Sequence, residues 1–196
     1  MILSNCLFGL FALTAIAPSD APPDEEILKL DRAQSSAAFS VKVLWMFAVE
    51  GHFGNVSGTV SIDHVHGQAT VDARINAADV TMRRDGAINW VKSAEFFDVE
   101  HFPEIHFHSD PFPIARLHDG GALPGALTMR GMTHAIVFEV QPSDCPRAAI
   151  DCPVEAAGSV RRSEFGMQTR RATLSDKVEL SFSIRMMDSQ RGAEES

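Results

Sequence analysis

KVELSFSIRM, residues 177–186, is the stretch that decides the fold of this chain. Apolar side chains stand at every second position, and polar side chains stand between them. Because successive side chains of a β-strand point to opposite faces, this alternation predicts a strand with one buried and one wet face. Strands of this kind are typical of antiparallel sheets. The apolar positions are Val178, Leu180, Phe182, Ile184 and Met186.

The same period of two recurs along the chain, separated by turn signals such as His66-Gly67. Only residues 85–94 show helical spacing. The pattern therefore predicts about eight strands with one short helix in a mid-chain crossover, which suits either a barrel or a sandwich. An eight-stranded barrel is just wide enough to hold one small ligand. The further strand stretches are residues 37–43, 55–63, 69–77, 104–109 and 134–140.

The composition favours a dry interior and excludes a nucleic-acid partner. The 196 residues include 13 Phe and no Tyr, so the aromatic side chains lack hydroxyl groups. The formal net charge is −9, and no cluster of Lys and Arg is large enough to form the basic face that nucleic acid requires.

The N-terminal residues resemble an export signal. Residues 6–17, CLFGLFALTAIA, form an apolar run too short for a membrane span. We expect a signal peptide at residues 1–17, an acidic, Pro-rich linker at 18–26 and a polar tail at 189–196. The mature protein is then expected to be periplasmic or secreted, without a stable membrane span.

Two cysteines, Cys145 and Cys152, remain after removal of such a signal. In an oxidising compartment they can form a local disulfide. Two thiols alone make a poor zinc site, and we expect the pair to staple a hairpin.

The crossover segment WVKSAEFFDVEHFPEIHFHS, residues 90–109, carries more aromatic surface than connecting segments usually do. Its aromatic side chains either seal the end of a core or line a space that an apolar molecule enters. The sequence alone leaves both alternatives open.

Several motifs follow one another along the chain: FSVKVLWMFAVEGHFGNVSGTVSID (39–63), KSAEFFDVEHFPEIHFHS (92–109), GALTMRGMTHAIVFEV (125–140), GSVRRSEFGM (158–167) and LSDKVELSFSI (174–184). In this order they resemble the YceI-like family over most of residues 36–187. The resemblance implies an exported, lipid- or polyisoprenoid-binding domain at residues 27–188. It also implies a lipocalin-like, eight-stranded antiparallel β-barrel around one long apolar chain.

The expected function is that of a non-catalytic carrier whose ligand is a polyisoprenoid, a quinone-like molecule or a fatty acyl chain, with no cofactor. Burial of such a chain would contribute about 0.8 kcal/mol per methylene group. The residues expected to line the binding space are Trp45, Phe47, Phe53, Phe96, Phe97, Phe102, Phe107, Phe138, Phe165 and Met167.

Rival functions stay open at this point. Asp98, Glu100 and Glu104 flank the crossover and would serve a lipid-modifying enzyme, although no catalytic motif is evident. A filled barrel that acts as a structural or interaction domain is the second rival. The pairs His64/His66 and His106/His108 could each offer two imidazoles on one strand face, but no evident shell completes a metal site, and we expect none. Dimerisation through an apolar outer strand also stays open.

Overall fold

The computed structural model describes residues 24–83, 85–170 and 172–188, and the predicted signal peptide and polar tail lie outside these ranges. The described residues form twelve β-strands and two α-helices. Helix α1 is Asp85–Lys92 and helix α2 is Arg116–Asp119. Strands β1 to β12, in chain order, are Glu25–Lys29, Ser36–Val43, Phe47–Gly54, Ser57–Asp63, Gln68–Asn76, Val80–Met82, Glu104–Ser109, Phe112–Pro113, Gly121–Met129, Met132–Val140, Val154–Arg161 and Leu174–Ile184.

All twelve strands belong to one antiparallel sheet that curls into a half-barrel. The strand order is β1-β4-β5-β7-β9-β10-β11-β12-β2-β3-β6, with β8 paired to β5. Two further connections bring the two edges of the curled sheet closer together. Leu30, just after β1, forms a bridge with Met186, just after β12. Strand β6 follows β5 after a single 3-10 turn, yet pairs with β3 near the other end of the sheet.

The antiparallel barrel-like fold is confirmed, but the strands number twelve where eight were expected. The additional strands include β6, with three residues, and β8, with two. Such short strands cannot show a period of two in sequence. Strand β1 begins at Glu25, so the last two residues of the predicted linker belong to the sheet.

Helix α1 lies where the crossover helix was predicted and ends two residues earlier. Within this helix, the side chain of Val91 is buried in the core. The helix stops because the Ser93 hydroxyl donates to the Trp90 carbonyl at 2.7 Å, while the Phe97 amide donates to the Val91 carbonyl at 3.0 Å. The chain therefore folds back and carries Phe96 and Phe97 into the interior.

The two ends of the barrel follow from the strand register. Val43 pairs with Leu174, and Arg161 pairs with Lys177, so the β2–β3 hairpin and the start of β12 lie at one end. At the opposite end lie the β4–β5 hairpin and the start of β9, whose Gly121 pairs with Val140. We call these the crossover end and the disulfide end.

Candidate functional site

Two apolar cavities lie in the interior that the described residues enclose. The first lies towards the crossover end and has a volume of about 40 Å³; its walls include Phe53, Phe97 and Met167. The second lies towards the disulfide end and has a volume of about 70 Å³; its walls include Phe107 and Phe138. Every described side chain that lines either cavity is apolar. The arrangement can remove hydrocarbon from water, and these described side chains offer such a molecule no polar partner.

Phe182 lines both cavities and therefore lies between them. Its ring meets the Phe138 ring edge-on, with centroids 4.9 Å apart, and Phe138 meets Phe107 in the same manner at 5.0 Å. A molecule that occupied both cavities would have to pass the Phe182 side chain. Sequence reasoning assigned Phe182 to an inner strand face but did not include it in the site.

Four phenylalanine rings close the first cavity at the crossover end. Phe97 meets Phe39 and Phe53 in edge-on geometry at 5.5 and 5.7 Å, and Phe96 meets Phe97 at 4.7 Å. Strands β2 and β3 position two of these rings, and the turn after α1 positions the other two. The aromatic side chains of the crossover thus seal this end of the core and also form part of the cavity wall.

Polar contacts hold the crossover in place from outside. The guanidinium of Arg130 donates hydrogen bonds to the carbonyl oxygens of Ala94, at 2.8 Å, and of Phe96. The Trp90 indole donates to Glu95 at 2.8 Å. That bond, with help from Arg170, holds the pKa of the Glu95 carboxyl below its ordinary value.

Glycines seat three of the interior rings against the wall. A Cβ atom at Gly51 would lie 2.3 Å from the ring of Phe39, its cross-strand partner. Gly125 makes the same room for Phe107, and Gly158 makes it for Phe138. Each ring therefore lies close over the neighbouring strand of the sheet. In this position it covers the inner face of the sheet and does not fill the lumen. Phe39 was not among the predicted lining residues, and the glycine across from it, Gly51, is the sequence signal that points to it.

The structure brings most of the predicted lining residues to the interior. Phe53, Phe96, Phe97 and Met167 line the first cavity, and Phe107 and Phe138 line the second. Phe165 is fully buried but contacts His134, with ring centroids 4.9 Å apart, and lines neither cavity. Phe102 is half-buried beside Gly131 and also lines neither.

Trp45 and Phe47 do not line the interior, which corrects the sequence-based expectation. Their exposed fractions are 74% and 60%. Phe47 and the buried Phe53 lie on the same face of β3. Phe47, however, lies at the end of the β2–β3 ladder, where no other part of the described structure covers it. Trp45 lies in the turn itself.

The Arg162 side chain, which begins the 3-10 turn Arg162–Phe165, is buried with 1% exposure. Its Nε donates to the Ser175 carbonyl at 2.9 Å, and its Nη atoms donate to the carbonyl oxygens of Leu174 and Met167. Beside it, Ser163 bonds to Asp176 through both its amide and its hydroxyl. These bonds tie the 3-10 turn Arg162–Phe165 to the start of β12.

The disulfide end is closed by a loop that Cys145 and Cys152 join in a disulfide, as predicted. Ala149, at the tip of this loop, is buried and lines the second cavity. Its carbonyl accepts a hydrogen bond from the Met186 amide. The disulfide loop therefore joins two neighbouring strands and also closes the interior at this end of the barrel.

The histidine pairs lie on the outer surface. His106 Nε2 lies 2.7 Å from Asp72 Oδ2, and His108 Nδ1 lies 3.4 Å from the same atom. Partial burial acts to raise the pKa of Asp72, but the bonds from His106 and Arg74 hold it below its ordinary value. Within the described ranges, no group of three or more His, Cys, Asp or Glu residues is arranged to hold a metal ion.

The crossover acids do not face the cavities. Asp98 Oδ1 lies 2.8 Å from His101 Nδ1, and Glu104 lies 3.4 Å from Arg74. Neither these two residues nor Glu100 lines the apolar space. A pair of carboxylates converging on a bound lipid is therefore not present among these three residues.

Comparisons with known proteins agree on the family. The model of the YceI-like domain matches residues 28–186. A protein YceI of Salmonella agona is 27% identical over 184 residues, which is 92% of this chain and 95% of that protein. No helix among the described residues is long and apolar enough to cross a membrane.

Two solved structures share the fold. BcnA of Burkholderia cenocepacia matches with a TM-score of 0.62 at 20% identity, over 79% of this chain and 98% of that one. A polyisoprenoid-binding domain from Saccharophagus degradans, implicated in plant cell wall breakdown, matches with a TM-score of 0.59 at 12% identity. That match covers 81% of this chain and 97% of that domain.

Proposed function

The chain belongs to the YceI-like family, and from that premise we propose that it is an exported carrier of one long apolar molecule, such as a polyisoprenoid, a quinone-like lipid or a fatty acyl chain. The single observation that carries the proposal is the pair of interior cavities whose described lining side chains are all apolar, with one phenylalanine between them. The fold shared with a polyisoprenoid-binding domain supports the same ligand class.

The mechanism is partition without covalent chemistry. Each buried methylene contributes about 0.8 kcal/mol, so ten buried carbons contribute roughly 8 kcal/mol before the costs of ordering the chain. Because a micromolar Kd needs a net free energy of about 8 kcal/mol, more than about ten carbons must be buried once those costs are subtracted. Because the cavities are small as they stand, the ligand must displace side chains at the boundary, and Phe182 is the side chain between the two spaces.

Two features of the chain support export. The apolar run at residues 6–17 supports it, and so does the Cys145–Cys152 disulfide, since disulfides persist in oxidising compartments. The mass of the protein recovered from a periplasmic or secreted fraction tests export, and recovery of the unprocessed chain from the cytoplasm alone would contradict it.

Native mass spectrometry of the purified protein, followed by organic extraction, tests ligand binding. We expect a discrete bound mass of isoprenoid or acyl size. A clean apo mass that stays unchanged after incubation with quinone, polyprenol and fatty acid would overturn the proposal and favour a filled barrel.

A pair of substitutions on β11 places the ligand. Ala156 lines the second cavity, while its neighbour Ala157 is exposed on the outer face. Ala156→Leu should fill the cavity and reduce ligand occupancy, and Ala157→Leu should leave it unchanged. Equal occupancy in both variants would show that the ligand does not use this cavity.

A further inference from the structure

Four consecutive large apolar side chains project from the hairpin between β2 and β3. Leu44, Trp45, Met46 and Phe47 have exposed fractions of 53%, 74%, 77% and 60%. We call these four residues the apolar tip. Scattered single apolar residues are normal on a protein surface, but a contiguous group usually marks an interaction site.

The backbone of the apolar tip is unusual for such residues. Leu44 and Trp45 both have positive φ, of 50° and 62°, and the Met46 amide donates to the Val43 carbonyl at 3.2 Å. Tight hairpin turns with two positive φ values strongly favour Asn and Gly. Large apolar residues at these positions work against local stability, which indicates that they are kept for contact with something else.

The tip is held firmly on the barrel. Val43 pairs with Phe47 across the hairpin and with Leu174 of β12. The Leu44 amide donates to the Thr173 carbonyl at 2.7 Å. The four side chains therefore form a fixed projection at the crossover end of the barrel.

The surface beside the tip is balanced in charge. Trp45 shares a shallow groove with Arg161 and Lys177, and with Glu164 and Asp176. Two positive and two negative side chains thus border the tip on that side. These four charges cancel, so this side of the tip does not attract an anionic surface. It also lacks the excess negative charge of the whole chain, whose formal net charge is −9.

From these observations we propose that the apolar tip inserts into the interface of an uncharged lipid bilayer. Trp is enriched at the boundary between water and hydrocarbon, and Phe and Leu serve the apolar face of interfacial segments. With about 200 Å² for an aromatic side chain, the tip exposes roughly 500 Å². A stable protein partner needs about 800 Å² on each side, so a bilayer fits this small projecting surface better than a second copy of the chain. The proposal stands on the exposed tip and does not require an occupied cavity.

Sedimentation with phosphatidylcholine vesicles tests the proposal. The double variant Trp45→Ser/Met46→Ser should lower the vesicle-bound fraction at least fivefold. Val65→Ser is the matched control, because Val65 is 67% exposed on the β4–β5 turn at the disulfide end, and it should bind as the native protein does. Unchanged thermal unfolding of the variants checks that the fold is retained.

Intrinsic fluorescence supplies a second readout. The native emission should shift to shorter wavelength when vesicles are added, and Trp45→Phe should lose that shift while it retains most of the binding. Absence of vesicle binding by the native protein, or equal binding by the double variant, would overturn the proposal. So would binding confined to anionic vesicles and abolished by salt, or a concentration-dependent dimer that the same double variant abolishes.

Discussion

Removal of the Phe182 ring should join the two interior cavities into one continuous space. The ring separates a cavity of about 40 Å³ from one of about 70 Å³ and packs edge-on against Phe138. Phe182→Ala should therefore admit a longer chain than the native protein does. Because Phe182 is only partly buried, we expect the free energy of unfolding to fall by about 3 kcal/mol, the low end for such substitutions.

The gain in chain length has a defined size. Each methylene that passes position 182 adds about 0.8 kcal/mol, or about a fourfold decrease in Kd. In a series of saturated fatty acids measured by displacement of a fluorescent probe, affinity should stop rising at a chain length set by the protein. In Phe182→Ala that limit should move by at least two methylenes, for a gain of more than tenfold with the longer acids.

Ser181→Ala is the control, since Ser181 lies next along β12 on the exposed face. It should keep the native chain-length limit. An identical limit in Phe182→Ala and the native protein would refute the reasoning that this side chain divides the lumen. A limit that moved equally in the control would do the same.

Three further predictions concern stability and pH. Reduction of the Cys145–Cys152 disulfide should lower the free energy of unfolding by about 2 kcal/mol, measured by urea denaturation, and an unchanged midpoint would contradict it. The hydrogen bond with Asp98 raises the pKa of His101, so this contact stabilises the fold below about pH 6.5 and is lost as pH rises through the raised pKa. In an NMR titration, Asp98→Asn should return the pKa of His101 towards its ordinary value, and an unmoved pKa would reject Asp98 as the cause. Gly51→Ala should lower the free energy of unfolding by about 1–3 kcal/mol, because the new Cβ overlaps the aromatic ring packed there. Gly54→Ala is the control, since a Cβ at that position meets open space. Equal shifts of the unfolding temperature in the two variants would contradict the prediction.

The sequence predicted the main strands and the crossover helix well because their signals are local. The alternation in β12 and the helical spacing after Asp85 both appear at the expected places. It also predicted the disulfide partners, since Cys145 and Cys152 are the cysteines outside the predicted signal peptide. The shortest strands, β6 and β8, were not predicted, because a segment of two or three residues shows no periodicity.

The candidate site was predicted in part. Phe53 and Phe96 line the first cavity as expected, while Phe39 and Phe182 also line it and were missed. Trp45 was expected inside and lies outside, 74% exposed. Residue type identifies an apolar side chain, but it does not say what covers that side chain.

By itself, the sequence determined the antiparallel strands, the apolar character of one face and the family. These follow from the period of two and from motif order, which neighbouring residues specify. Only the tertiary structure decided that Phe182 divides the lumen, that Ala149 of the disulfide loop closes one end, and that Phe47 is uncovered although it shares its strand parity with Phe53. The physical reason is that a strand fixes the direction of a side chain locally, whereas its burial depends on distant segments that the closing sheet brings opposite to it.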